Sequence, residues 1–132
     1  AAPDPAPVTD HRVPLGRAGE AVAEDFLRRR GHIVLARRFR TRRGEIDLVT
    51  RSGEHLYFVE VKTRQASAAN DRWGGGFEAI SWRKRRSMDV LVRTFVARRN
   101  LHHLQPHVAV LSIERSADRA RLRFLPDAFE AA

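Results

Sequence analysis

The stretch that decides the fold runs from Gly44 to Arg64 and reads Gly-Glu-Ile-Asp-Leu-Val-Thr-Arg-Ser-Gly-Glu-His-Leu-Tyr-Phe-Val-Glu-Val-Lys-Thr-Arg. Polar and apolar residues alternate in its first half, and its second half is rich in aromatic and β-branched residues, a pattern typical of paired strands. Between the halves, Gly53 supplies the positive φ that the first position of a type II′ turn requires. The stretch therefore predicts a β-hairpin.

The register of this hairpin follows from its turn. If Gly53 and Glu54 form a two-residue turn, Asp47 lies opposite Glu60, and Glu45 lies opposite Lys62. Directly opposed residues have Cβ atoms about 4.5–5.5 Å apart, so both carboxylates could contact one cation. An odd-length loop or a β-bulge would shift the pairing by one residue. The other face of the hairpin is expected to carry Ile46, Leu48, Val59 and Val61.

Two like charges opposed on a sheet destabilise it, so Asp47 and Glu60 predict a compensating positive group. Mg²⁺ suits this role because this hard cation is usually held by one or two carboxylates. Lys62 lies on the same face, about 6.5 Å beyond Glu60 along the strand. Its ammonium could orient a water molecule or neutralise a phosphate. The alternative is a surface ion pair between Glu45 and Lys62, with both other carboxylates merely solvated.

The lysine count favours the first of these interpretations. The sequence has 25 basic residues, of which only Lys62 and Lys84 are lysines. Arginine is always charged and its guanidinium is broad, whereas lysine is a compact point charge that can change protonation state. A lysine beside two carboxylates in such a chain indicates a need for an ammonium group.

The whole chain has the composition of a globular protein with an anionic partner. It has 132 residues, 42% of them hydrophobic, and a formal net charge of +9. This predicts a single domain over 15–132 behind a disordered tail over 1–14, and it favours nucleic acid as a partner. Arginine-rich usage can also reflect a GC-rich genome. The lack of cysteine, of a signal peptide and of a long apolar run predicts a cytoplasmic protein without membrane contact.

Further elements surround the hairpin. Apolar spacing predicts helices over Leu15 to Arg30 and Ala79 to Asn100. A Gly-rich loop over Gln65 to Phe77 joins the hairpin to the second helix. Glu20 lies at the edge of the first helix's apolar face, where it either reaches the hairpin carboxylates or is an ordinary polar residue. Strands are predicted over His32 to Phe39, Val108 to Ile113 and Arg119 to Leu125. The residues that would contact phosphates, or else form a solvated face, are Arg38, Arg40, Arg42, Arg43, Arg64, Arg83 and Lys84.

Four ordered motifs then suggest a family. They are Gly16-Arg17-Ala18-Gly19-Glu20-Ala21-Val22-Ala23, Gly44-Glu45-Ile46-Asp47-Leu48-Val49, Phe58-Val59-Glu60-Val61-Lys62-Thr63-Arg64, and Glu78-Ala79-Ile80 followed by Lys84. Together they resemble the YraN-like family of small bacterial proteins, which is similar to the PD-(D/E)XK nuclease superfamily that includes archaeal Holliday junction resolvases. The resemblance covers roughly Leu15 to Leu125.

The resemblance implies an α/β, restriction-endonuclease-like three-layer fold, in which a central mixed sheet with an antiparallel hairpin is flanked by helices. It also implies a catalytic set of Glu20, Asp47, Glu60 and Lys62. The sequence departs from the family at two places. Arg38 stands where family members commonly have Asn, and Pro106-His107-Val108-Ala109 stands where an Arg-Phe-Asp-Val-like motif opens the late strand.

These observations lead to one principal hypothesis and two alternatives. The principal hypothesis is a Mg²⁺- or Mn²⁺-dependent endonuclease that acts on DNA, branched or single-stranded, with backbone contacts from the arginines. In this hypothesis Asp47 and Glu60 hold the metal with help from the Val61 carbonyl. A resolvase-like reaction on paired strands would require a two-fold homodimer. The first alternative is a non-catalytic nucleic-acid-binding module on a nuclease fold. The second is an interaction protein whose charge is incidental.

Overall fold

The chain folds into a five-stranded sheet with two helices, as seen in a computed structural model that describes residues 17–65, 82–116 and 119–128. The tail expected over 1–14 and the Gly-rich loop expected after Gln65 lie outside these residues. The elements, in chain order, are α1 (Arg17–Arg29), β1 (Ile33–Thr41), β2 (Gly44–Ser52), β3 (His55–Gln65), α2 (Trp82–Arg99), β4 (Gln105–Ser116) and β5 (Arg119–Leu125).

The sheet is mixed, and its strands are arranged in chain order from β1 to β5. β1, β2 and β3 form an antiparallel meander. β3 and β4 are parallel, and β5 returns antiparallel to β4. A parallel pair needs a long crossover between its strands, and α2 lies in that connection.

The two helices cover opposite faces of the sheet. Ala23 and Leu27 of α1 pack in one buried cluster with Val59, whereas Leu91 of α2 packs in a second cluster with Phe58. Phe58 and Val59 are successive strand residues, so their side chains point to opposite faces. The layers are therefore helix, sheet and helix, and the expected α/β class with a central mixed sheet is confirmed at this level.

Helix α1 ends where its sequence predicts. Gly31 adopts φ 92°, a left-handed conformation that glycine tolerates without steric cost. Beyond it, the His32 N–H donates to the Leu27 carbonyl at 3.0 Å, so a carbonyl of the last turn is satisfied. β1 then starts at Ile33, which brings it antiparallel to β2, as expected.

The hairpin turn is confirmed, and so is the register next to it. Ser52 pairs with His55, and the ladder continues in the expected register as far as Leu48 and Val59. Gly53 has φ 60°, whereas Glu54 is not among the non-glycine residues with positive φ, as a type II′ turn requires.

The expected face pattern is wrong at the far end of β2. Ile46 packs in the α2 cluster, whereas Leu48 packs in the α1 cluster, although a regular strand would place them on one face. The alternation therefore fails at Asp47, which lies between them.

Both late strands are confirmed, but β4 is longer than predicted. β5 has the predicted bounds, whereas β4 runs from Gln105 to Ser116 and so extends three residues beyond the predicted Val108 to Ile113 at each end. Pro106 lies within β4 beside Leu56. Proline is tolerated near the start of a strand, and the Gln105 N–H holds this start by donating to the Glu54 carbonyl at 2.8 Å.

Candidate metal and nucleic-acid site

Asp47 lies where β2 and β3 separate. The ladder between them ends at Leu48 and Val59, one pair short of Asp47 and Glu60. Beyond that point the Val61 N–H donates to Asp47 Oδ2 at 2.7 Å. If the ladder continued in the same register, the Val61 N–H would donate to the Ile46 carbonyl. The Asp47 carboxylate has therefore taken the place of that backbone acceptor. The expected direct opposition of Asp47 and Glu60 is thus replaced by a carboxylate inserted between the two strands.

The strand on the other side of Asp47 is distorted as well. Arg37 pairs with Leu48 and Phe39 with Ile46, which leaves Arg38 facing Asp47 without a ladder pairing of its own. Arg38 has φ 52°, a left-handed conformation that is uncommon outside glycine, asparagine and aspartate. Asparagine, which the family resemblance implies at this position, adopts this backbone conformation more readily than arginine does.

The left-handed residue changes where two successive arginines point. In a regular strand Arg37 and Arg38 would face opposite sides of the sheet. In this strand both reach α1: Arg38 Nη2 lies 2.8 Å from Glu20 Oε2, and Arg37 forms a bidentate pair with Glu24. The Arg37 guanidinium lowers the pKa of Glu24 by hydrogen bonding. Helix α1 is thus tied to β1 through two acidic residues one turn apart.

Close packing brings α1 onto β3. Gly19 is buried, and a Cβ atom added there would lie well inside van der Waals contact with Thr63 Oγ1. Only a residue without a side chain permits this approach. Since Glu20 follows Gly19 directly, the contact sets the position of the Glu20 carboxylate over the sheet.

Glu60 faces α2 and is largely shielded from solvent, with its side chain 14% exposed. Its Oε1 atom is paired with the Lys84 ammonium of α2. Its Oε2 atom is buried and has no hydrogen-bond partner among the described residues. A buried acceptor without a partner is unfavourable and indicates room for a further donor or cation.

The acidic residues interact electrostatically. The pKa of Asp47 is raised above its ordinary value, first because burial disfavours the charged form, and then because Glu20, Glu60 and Glu45 are negative neighbours. The Val61 hydrogen bond opposes this shift and lowers the pKa in part. The negative charges of Glu20 and Glu60, two of the carboxylates that the sequence suggested, therefore contribute to the raised pKa of the third, Asp47.

Lys62 lies two residues beyond Glu60 on the same strand and is partly buried. Among residues 17–65, 82–116 and 119–128 its ammonium group has no hydrogen-bond or ion-pair partner, whereas its backbone belongs to the ladder between β3 and β4. The alternative pairing of Lys62 with Glu45 is not observed, because Glu45 pairs instead with Arg40, its neighbour across the β1–β2 ladder.

The donor set suits a hard cation held by few protein ligands. In the described part of the chain, no group of three or more His, Cys, Asp or Glu side chains is arranged to hold a metal ion. Mg²⁺ requires less, since one or two carboxylates with water and phosphate oxygens complete its coordination. The orphaned Oε2 of Glu60 and the raised pKa of Asp47 fit such a cation. Val61 contributes its N–H to Asp47, and a role for its carbonyl stays a prediction.

The arginines expected to contact phosphate fall into two groups. Arg38 and Arg40 are engaged with Glu20 and Glu45, so much of their charge is compensated locally. Arg42 and Arg43 are exposed at the turn between β1 and β2. Arg64 is partly buried on β3, Lys84 is paired with Glu60, and the Arg83 side chain lies outside the described set.

Two polar residues of β4 were missed by the sequence analysis. Ser112 lies beside Lys62, and Glu114 lies beside Arg64, in the parallel ladder. Both are buried, and Ser112 Oγ and Glu114 Oε1 have no hydrogen-bond partner among the described residues. Their signal was a serine and a glutamate at alternate positions of an otherwise apolar strand. Val108 belongs to the segment where the resemblance implies an aspartate-containing motif, and it packs on the cluster that contains Leu91 of α2.

The fold and site define a small α/β protein with a cluster of carboxylates on a mixed sheet and a strongly basic surface. Neither described helix has the apolar length that a membrane crossing requires. Residues 19–123 match the model of the uncharacterised protein family UPF0102, and the chain belongs to that family. The YraN-like resemblance is thereby confirmed.

Curated relatives match nearly the whole chain. A UPF0102 protein of Syntrophotalea carbinolica is 38% identical, over 93% of this chain and 97% of the relative. One from Roseiflexus castenholzii is 37% identical, over 95% of this chain and its own full length, 100%. One from Carboxydothermus hydrogenoformans is 34% identical, over 83% of this chain and 89% of the relative.

Proposed function

We propose that this protein is a Mg²⁺- or Mn²⁺-dependent endonuclease that hydrolyses phosphodiester bonds in branched or single-stranded DNA. The observation that carries the proposal is the inserted carboxylate of Asp47, whose pKa is raised by burial and by the nearby Glu20 and Glu60. Such a concentration of negative charge, held in place by the backbone, is costly unless a cation joins it.

The order of elements supports the same proposal. A helix, a three-stranded antiparallel meander, a second helix and a parallel strand follow one another in this chain. This order agrees with the restriction-endonuclease-like fold that the resemblance to the PD-(D/E)XK superfamily implies. A fold alone does not define an activity, so the activity is inferred from the site residues.

In this proposal Asp47 and Glu60 hold the cation, with the Val61 carbonyl as a further oxygen ligand. When bound, Mg²⁺ or Mn²⁺ supplies Lewis-acid stabilisation of phosphoryl charge and a more acidic water. The Val61 N–H keeps the Asp47 carboxylate oriented. Glu20 adds negative charge from α1 and is itself positioned by Arg38.

Lys62 acts on the substrate side. Its ammonium projects from the same strand as Glu60, where it neutralises charge on the reacting phosphate or orients the attacking water. Arg42, Arg43 and Arg64 hold the strand through its backbone, a kind of contact that carries no sequence information. Cleavage of paired strands in branched DNA would further require a two-fold homodimer. We also propose that the protein acts in the cytoplasm.

The test combines cleavage with metal binding. Supercoiled plasmid and a four-way junction are incubated with the protein in Mg²⁺, Mn²⁺ or EDTA, and Mn²⁺ binding is measured separately by calorimetry. We expect cleavage only with the divalent cation, its loss in Asp47→Asn, Glu60→Gln and Lys62→Met, and loss of Mn²⁺ binding in the first two variants only. Glu54→Gln, on the exposed hairpin turn, is the matched control that retains both activities.

A non-catalytic nucleic-acid-binding module is favoured by one observation. Lys84 forms an ion pair with Glu60, so the protein itself compensates part of the negative charge of the site. The same experiment separates the two functions. DNA binding without cleavage, unchanged by EDTA and by Asp47→Asn, would refute the nuclease and support the module. Both fail if DNA affinity does not decrease with rising salt, since phosphate contacts release counterions.

A further inference from the structure

A cavity of about 350 Å³ lies between the β1–β2 turn and helix α2. Arg43, Gly44 and Glu45 line it on the strand side. The helix side is lined by Lys84, Ser87, Met88 and Leu91. This volume lies at the lower end of the range of small-molecule sites.

The cavity adjoins the carboxylates of the candidate site. Lys84 lines the cavity and also forms the ion pair with Glu60. On the strand side, Glu45 lies only two residues before Asp47. A molecule in the cavity is therefore next to the place where the proposed reaction would occur.

The chemistry of the lining is divided. Met88 and Leu91 are 2% and 1% exposed and give the cavity an apolar base. Arg43 and Lys84 are the two basic residues of the lining, and Lys84 is also paired with Glu60. Glu45 is its acidic residue and is paired with Arg40. A thioether packs favourably against an aromatic ring, and a guanidinium or ammonium forms charge-assisted hydrogen bonds with phosphate. Free phosphate would not use the apolar base, and an apolar segment would not use the cations.

Gly44 keeps this space open. Its φ is 146°, a conformation that other residues rarely adopt, and a Cβ atom there would lie 3.8 Å from Leu91 Cδ1. Any larger side chain would extend toward Leu91 and occupy the cavity. Gly44 therefore permits the backbone conformation at the start of β2 and also leaves the cavity open.

We propose that this cavity binds one nucleotide unit of a nucleic acid strand, with the base against Met88 and Leu91 and the phosphate held by Arg43 and Lys84. The inference rests on the proposed function, because it takes the bound strand to be the one that reaches Asp47 and Glu60. It adds a defined subsite for the nucleotide beside the reacting phosphodiester bond.

The chain supplies its own probe for this subsite. Met88 is the only methionine in the sequence, so ¹³C-methyl labelling of methionine gives a single assigned resonance from the base of the cavity. We expect deoxyadenosine monophosphate to shift this resonance saturably. Deoxyadenosine and inorganic phosphate, each lacking half of the ligand, should bind at least about tenfold more weakly, the change expected when one charged contact or one buried ring is lost.

Two arginines provide a matched pair of variants. Arg43 lines the cavity, whereas Arg93, which is exposed further along helix α2, does not. Arg43→Gln should weaken nucleotide binding about tenfold, whereas Arg93→Gln should leave it within about twofold. Ser87→Trp should abolish binding by filling the cavity. An unmoved Met88 resonance, or equal effects of Arg93→Gln and Arg43→Gln, would overturn the inference.

Asp47→Asn separates this inference from the proposed function. The variant should still shift the Met88 resonance with deoxyadenosine monophosphate, because Asp47 does not line the cavity. Nucleotide binding without metal-dependent cleavage in the wild type would refute the nuclease alone. Cleavage without any response of Met88 would refute the subsite alone.

Discussion

The Val61 N–H donates to Asp47 Oδ2 at 2.7 Å, at the point where the ladder between β2 and β3 has ended. A backbone donor that would bind a carbonyl in a regular hairpin binds a carboxylate instead. The side chain is thereby fixed between the strands, beside Glu20 and Glu60, in a place where its charge is unfavourable. The position of the Asp47 carboxylate therefore lowers the stability of the fold while it holds the side chain in the geometry that the proposed site requires.

Asp47→Asn should therefore stabilise the metal-free protein at neutral pH. The folded-state pKa of Asp47 is raised above 3.8, so the folded protein loses stability as pH rises from 3.8 through the raised value and the carboxyl ionises. Asparagine keeps an acceptor for Val61 without the charge. We expect a gain of about 0.5–2 kcal/mol in the free energy of unfolding near pH 7, as is usual when a strained functional site is relieved.

The measurement is urea denaturation in EDTA at a series of pH values. The advantage of Asp47→Asn should diminish as pH falls through the raised pKa toward 3.8, because the wild-type carboxyl of the folded protein then takes up its proton. A gain that is independent of pH, or a loss of stability at pH 7, would contradict this account of the site.

Lys84→Met should destabilise the metal-free protein and make it more responsive to cations. Without Lys84, both oxygens of the shielded Glu60 carboxylate lack a partner among the described residues. The expected cost is about 1–3 kcal/mol, and Mn²⁺ should recover part of it by binding Glu60. Thermal melts with EDTA and with Mn²⁺ test this. The control is Arg93→Met, because Arg93 is exposed on the same helix. Its effect on the melting temperature should be the same with EDTA and with Mn²⁺.

Arg38 should tolerate asparagine better than any β-branched residue. Its φ of 52° disfavours a branched side chain, whereas asparagine adopts this conformation readily. Arg38→Asn loses the exposed ion pair with Glu20, worth little by itself, and should leave stability within about 1 kcal/mol. Arg38→Val loses the same pair and should cost about 1–2 kcal/mol more. Equal chemical denaturation midpoints for the two variants would show that the backbone conformation is unimportant.

Gly19→Ala should destabilise the protein, and the loss of stability should depend on the Thr63 side chain. The new Cβ would overlap Thr63 Oγ1, and overpacking of this kind typically costs about 1–3 kcal/mol. Thr63→Ala removes the overlapping atom, so the double variant should recover most of the loss. A double-mutant cycle by urea denaturation gives the coupling free energy directly. Simple additivity of the two changes would rule out the contact as the cause.

His32 should make the protein sensitive to mild acid. Its Nδ1 atom lies 2.8 Å from Thr50 Oγ1, and burial, with a smaller contribution from Arg30, lowers its pKa below 6.5. Because the unfolded chain binds the proton more readily, stability should decrease as pH falls below 6.5. His32→Gln should flatten this part of the stability profile. The exposed His102→Gln is the matched control, and an equal flattening in both variants would contradict the prediction.

Local sequence determined the elements and part of their pairing. Alternation and a glycine turn specified the hairpin from Leu48 to Val59, because side-chain period and turn geometry are properties of neighbouring residues. Apolar spacing specified both helices and the strand from Arg119 to Leu125 in the same way. The family motifs also named Glu20, which periodicity alone placed only at the edge of a helix face.

Tertiary structure decided how the charged groups meet. The break of alternation at Asp47, the left-handed Arg38, the pairing of Lys84 with Glu60 and the buried polar atoms of β4 all depend on contacts between segments distant in sequence. A strand pattern predicts which face a residue occupies only while the ladder is regular, and the ladder is irregular at the candidate site. Sequence therefore supplied the acidic residues and the lysines, whereas packing of α1 and α2 on opposite faces of the sheet determined which of them became partners.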